Sequence, residues 1–136
     1  VNPRQLRNPS RDEMIISLAG PASNLLLAIL FFALYVAFSL GGVFGLVPPM
    51  FQQPLLLVFF FGVLLNALLA LFNLLPVPPL DGSHVVEHFL PYSWREAYDS
   101  IKPFSFFVLM GLFMLGVLDI VFRPVIRVVT FLFELV

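Results

Sequence analysis

Long stretches without charge alternate with short polar segments along this chain. From Met14 to Leu80 there is no Asp, Glu, Lys or Arg, and a run of that kind reads as helix in lipid rather than as a water-exposed surface. Three apolar runs stand out, at residues 15–40, 55–75 and 104–122. At 1.5 Å per residue each can cross a hydrocarbon core of roughly 30 Å. The pattern predicts an all-α, polytopic membrane protein with three transmembrane helices. An extended proline-rich segment follows the second, a short C-terminal interfacial helix closes the chain, and residues 1–136 form a single membrane domain.

Local signals refine these boundaries. "SRDE" is a capping box, with Ser10 as N-cap and Glu13 at the third helical position, so the first helix is expected to start near Arg11. Inside that span "AGPASN" places Gly20 and Pro21 near its start, where proline removes one backbone bond and small neighbours let another helix approach. The uncharged, turn-rich stretch "GGVFGLVPPMFQQP", Gly41 to Pro54, reads as a reversal. In the second span Asn66 and Asn73 are seven positions apart, hence on nearly one face, which should point at protein. Pro124 is expected to break off a tail, Arg123 to Val136, that mixes arginine with aliphatic residues and phenylalanine and reads as the interfacial helix.

Composition agrees with the pattern. Hydrophobic residues make up 60% and charged residues 11% of the 136, and the mean hydropathy is +1.02, so lipid bilayer is the expected surroundings. A net charge of −1 with no basic patch excludes a nucleic-acid partner. Without cysteine there is no disulfide or thiolate metal site, so a metal would need His, Asp, Glu or Asn. Arg4, Arg7 and Arg11 precede the first span and the loop after it has no positive charge, which puts the N-terminal side in the cytoplasm of a multi-pass plasma-membrane protein. Val1 in place of a starting methionine suggests a fragment or processed product.

The chemistry concentrates in "FNLLPVPPLDGSHVVEH", Phe72 to His88. Pro76, Pro78 and Pro79 remove three donors and push the residues before them out of the helical region. An extended strip of carbonyls should therefore leave the second span and close with Asp81 on a Gly82 turn. Irregular backbone at membrane depth survives where protein buries it or where it lines a wet cavity. By spacing alone, the simpler reading of Asp81 is a cap for a helix beginning near Ser83; an ionisable group at a span's edge also reads as a functional site. "HVVEH" matches the H-x-x-E-H pattern, in which His84 and His88 at i and i+4 bind zinc and Glu87 activates water. The match is short, and no downstream carboxylate is available: Glu134 lies beyond another span, and Asp119 is expected to pair with Arg123. The simpler reading is an amphipathic interfacial helix.

"LAGPASNLLLA" (18–28), followed by "LLNALLALFNLLPVPPLDGSHV" (64–85), resembles the C-terminal half of the site-2 protease family of intramembrane zinc metalloproteases, and "VNPRQLRNPSRDEM" resembles that family's lead-in. The resemblance implies Zn2+ as cofactor, held by two histidines of an HExxH helix and by the aspartate of an "LDG" motif, with the HExxH glutamate as general base. Here it assigns Asp81 as metal ligand. Asn73, Pro76 and Pro78 match the "NxxPxPxLDG" segment that lines the substrate site, where Asn73 could also stabilise developing oxyanion charge. Gly20, Pro21 and Asn24 match "GPxxN" and serve helix packing around the site, and Gly82 supplies the turn. Transmembrane proteins are the implied substrates. These 136 residues contain no HExxH, so no catalytic base is assigned, and this chain alone should not be a competent protease. The alternative is a non-enzymatic membrane scaffold or binding segment.

Overall fold

The computed structural model describes residues 9–136, with side chains from Arg11 onward. All regular structure among them is helical: α1 (Pro9–Leu40), α2 (Pro49–Asn73), α3 (Asp81–Phe89), α4 (Tyr92–Ile101), α5 (Ser105–Met114) and α6 (Val117–Glu134). Arg4 and Arg7, the lead-in before Pro9 and the Ser10 side chain lie outside the described residues. Ser10 itself falls inside α1, so the helix does not begin at Arg11 as the capping box predicted; the helix extends back through Pro9, a residue well suited to a first turn.

Two helices, residues Arg11–Leu40 and Pro49–Asn73, are long and apolar enough to cross a membrane. A third crossing is available only if Tyr92–Met114 and Val117–Glu134, bent by 65° at their junction, act together. The expected continuous span over 104–122 is thus corrected. Gly116 takes the left-handed conformation (φ 70°) and its N–H bonds the Phe113 carbonyl at 3.0 Å, closing α5 as a glycine does just past a helix end. The expected break at Pro124 is corrected too: it lies inside α6, where it removes one backbone bond without ending the helix. Residues 123–134 therefore belong to a helix that packs on α2 and are not a separate interfacial helix.

The reversal between α1 and α2 is shorter than predicted. A 3-10 turn spans Val43–Leu46, and α2 begins at Pro49, whose fixed φ suits a first helical position. Pro54 is accommodated inside α2. Gln52 Nε2 donates to the Phe44 and Val47 carbonyls at 3.1 and 3.0 Å, tying the turn to the helix that follows.

α1 and α2 pack along their length, and α6 lies against them. Ala28, Val63 and Val129, one from each helix, form the buried centre, with Phe31, Phe32, Phe60, Leu64, Ala67, Val125 and Phe133 around it. Tyr35 is stacked on Phe133 at 4.3 Å and donates its hydroxyl to the Phe133 carbonyl at 3.4 Å, fixing the far end of α6 to α1. Leucine, isoleucine and phenylalanine remain exposed over the outer faces of α1 and α2, as helices that use lipid as solvent require. Asn66 donates to the Gly62 carbonyl of its own helix at 2.8 Å, so its amide is satisfied within α2.

Gly62 sets the α1–α2 distance. A Cβ there would fall 2.5–2.8 Å from the ring atoms of Phe31, so the aromatic ring fills the space that any side chain would need. Gly62→Val should therefore force Phe31 out and lower stability by about 1–3 kcal/mol, as overpacking does. Thermal melting in detergent checks this; a melting temperature equal to wild type would show that the ring is not seated there.

Candidate metal centre

α2 ends at Asn73 because the next seven residues hold three prolines that cannot donate. The segment Leu74–Leu80 is non-helical, as expected, but it is not one extended strip. It is folded into bends and closed by a turn in which the Leu80 N–H bonds the Val77 carbonyl at 2.9 Å. Pro78 is buried and Pro76 exposed. The Pro76 carbonyl accepts a hydrogen bond from the Tyr98 hydroxyl of α4 at 2.8 Å.

α3 begins at Asp81 itself, not near Ser83. The capping role is corrected accordingly: Leu80 is the N-cap residue, no side chain caps the helix, and Asp81 is its first residue, where a carboxylate is favoured by the helix dipole. Ser83, almost wholly buried, donates instead to the Leu80 carbonyl at 2.7 Å. Gly82 is likewise helical and has no positive φ, so it does not supply a turn. Its role is close approach. A Cβ on Gly82 would collide with the Leu74 carbonyl and lie 2.6 Å from the Leu75 oxygen, so glycine lets the first turn of α3 seat against the end of α2.

Seated there, α3 packs against α1 and brings Asp81 over Gly20. The Asp81 carboxylate is half-buried and has no hydrogen-bond partner among the described residues. Pro21, beside Gly20, is buried; Asn24 and Asn73 are half-buried, and neither has a side-chain hydrogen bond to another described residue. The structure therefore joins Gly20 to Asp81 and Gly82 to Leu74 and Leu75, while Pro76 is engaged by α4.

The histidines lie elsewhere on α3. A polar cavity of about 300 Å³ between α1, α3 and α4 is lined by Glu13, His84, Glu87, His88, Arg95, Asp99 and Lys102. Lys102 Nζ lies 2.8 Å from Glu87 Oε1 and 2.7 Å from Asp99 Oδ1, so Glu87 is held as half of an ion pair bridging α3 and α4. No group of three or more His, Asp or Glu side chains among the described residues is arranged to hold a metal. The H-x-x-E-H stretch thus forms a salt-bridged helix face. Asp119 pairs with Arg123 at 3.6 Å, the i,i+4 partner expected. Sequence reasoning missed Tyr98 and Lys102; the i,i+3 spacing of Asp99 and Lys102 was a visible signal for the second.

Comparison with known proteins decides the family. The sequence model of peptidase family M50 matches residues 38–117. The chain belongs to peptidase family M50. This M50 chain is 37% identical over 114 residues to "Putative zinc metalloprotease YwhC" of Bacillus subtilis, covering 84% of the chain and 51% of the relative. It is 38% identical over 79 residues to "Putative zinc metalloprotease MJ0611" of Methanocaldococcus jannaschii, covering 58% and 35%, and 32% identical over 114 residues to "Putative zinc metalloprotease Rip2" of Mycolicibacterium smegmatis, covering 81% and 39%. The chain spans about half the length of YwhC, and less of the other two. No solved structure matches it.

These names imply zinc at the level of the family. A catalytic zinc takes three protein ligands, and the described residues do not supply three together. They do fit one ligand position: an unpartnered carboxylate at the first residue of α3, hard in character and placed where two helices converge.

The seat of α3 is testable apart from any metal. Gly82→Ala should lift α3 off α2, cost about 1–3 kcal/mol by overpacking, and speed amide exchange across residues 81–89. Unchanged melting and exchange would contradict the close approach described here.

Proposed function

We propose that this chain is the Asp-bearing half of an intramembrane zinc metalloprotease that cleaves transmembrane protein substrates. Asp81 would be one zinc ligand. The other two, and the general base, would come from an HExxH helix outside these 136 residues. The observation that carries the reading is the Asp81 carboxylate: ionisable, without a hydrogen-bond partner among the described residues, and fixed where the apolar helices α1 and α2 meet the first turn of α3. Family membership and relatives named as zinc metalloproteases support the reaction class.

Zinc, when bound, lowers the pKa of a water ligand to about 7 and polarises the scissile carbonyl. The residues of this chain would do the positioning. Asp81 presents its carboxylate from the first residue of α3, against Gly20 of α1. Asn73, the last residue of α2, has an amide without a hydrogen-bond partner among the described residues, which would donate toward a substrate carbonyl or the oxyanion that develops from it. Pro76 and Pro78 keep the segment before Asp81 out of helix, so that it would flank an unfolded stretch of substrate next to Asp81. With the N-terminal side of α1 in the cytoplasm, Asp81 lies toward the cytoplasmic half of a plasma-membrane protein.

In the intact protein Asp81→Ala should lower zinc content at least about tenfold and abolish cleavage of a transmembrane substrate, with both measured on the same purified sample. Stoichiometric zinc and retained cleavage in the variant would remove Asp81 from the site. An intact protein with no HExxH and no zinc would instead favour the scaffold reading.

A further inference from the structure

Helix interiors disfavour glycine relative to alanine, yet Gly20 lies well inside α1. Its surroundings account for the missing side chain. A Cβ on Gly20 would lie 2.9 Å from Asp81 Oδ2 and 3.9 Å from Asp81 Cγ, and among the described residues no other atom beyond its own stretch of helix comes within 4 Å. Among the described residues, the space left by the missing side chain is therefore occupied by the carboxylate alone. At Gly82 and Gly62 a side chain would meet backbone or an aromatic ring. At Gly20 it would meet only the end of a short, movable side chain.

We propose that Gly20 is a positioning residue for the Asp81 carboxylate: its bare Cα is the surface against which Asp81 is held in the direction needed to reach a metal. The proposal rests on the reading of Asp81 as a ligand. Alanine at position 20 would push the carboxylate aside by rotation about its own side-chain bonds and leave the α1–α3 backbone contact in place. The metal site and the fold should then respond differently to the same methyl group. A competing cause is local: the residue before a proline is crowded by the ring, and glycine at position 20 relieves that crowding ahead of Pro21.

The test uses the intact protein, purified in detergent, with zinc affinity measured by chelator competition and the metal-free form followed by thermal melting. Gly20→Ala should bind zinc roughly 10- to 100-fold more weakly, the range seen when a group orienting a metal ligand is altered, while the metal-free melting temperature stays at or slightly above the wild-type value, alanine being the better helix former. Gly20→Ala combined with Pro21→Ala should keep the zinc defect, because the methyl still meets the carboxylate. Recovery of wild-type affinity in that double variant would overturn the proposal in favour of proline crowding. Unchanged affinity in Gly20→Ala overturns it as well, and so does loss of fold in both variants, since the clash would then extend beyond the carboxylate. Asp81→Ala measured alongside separates the two levels: if it retains zinc, the ligand reading fails, whereas loss of zinc there with normal binding in Gly20→Ala sinks the role of Gly20 alone.

Discussion

The contact on which the rest of the site depends is the seat of α3 on the last turn of α2. Residue 82 meets the Leu74 and Leu75 carbonyls so closely that no Cβ fits. From that contact follow the direction of α3, its packing on α1, and the placement of Asp81 over Gly20. The prolines act one step earlier. By ending α2 they leave its terminal carbonyls without their helical donors, and in a bilayer such groups persist only where protein or trapped water covers them. The first turn of α3 packs against the Leu74 and Leu75 carbonyls just past α2, so one local feature ends a membrane helix and seats the helix that carries Asp81.

A second set of contacts holds the segment from the other side. Tyr98 reaches the Pro76 carbonyl, and Lys102 ties Glu87 of α3 to Asp99 at the end of α4. The polar face of α3 is thereby committed to ion pairing with α4, while Asp81 has no such partner among the described residues. The difference separates the two sets of metal-binding residue types on this helix. His84, Glu87 and His88 form the more conspicuous pattern in the sequence, yet Glu87 is neutralised by a lysine and no third ligand joins them among the described residues.

The first two membrane helices were legible in the sequence because water does not suit an uncharged apolar run of that length, and the end of α2 was legible because three prolines cannot continue a helix. The bend at Gly116 was not, since a single glycine in an apolar run carries no sign that its φ will be positive until the neighbouring helices are placed. Pro124 misled in the opposite direction: a proline inside a helix costs one bond, and α6 recovers its stability through Val129 and Phe133 packed on α1 and α2. Gly82 was recognised as special for the wrong reason, because close approach and a turn ask for the same residue. The pairing of Gly20 with Asp81 joins positions far apart in the chain, and no local pattern encodes it. The resemblance assigned Asp81 as a ligand; the packing of α3 on α1 places its carboxylate against Gly20.

The central claim is that residue 81 reaches a metal. Because these 136 residues contain no cysteine, Asp81→Cys would place a single new thiolate at the helix start. X-ray absorption at the zinc edge of the intact Asp81→Cys protein, compared with wild type, reads the metal's neighbours directly. One sulfur neighbour at about 2.3 Å is expected in place of an oxygen. A zinc-loaded variant whose coordination shell is the same as that of wild type would contradict the claim.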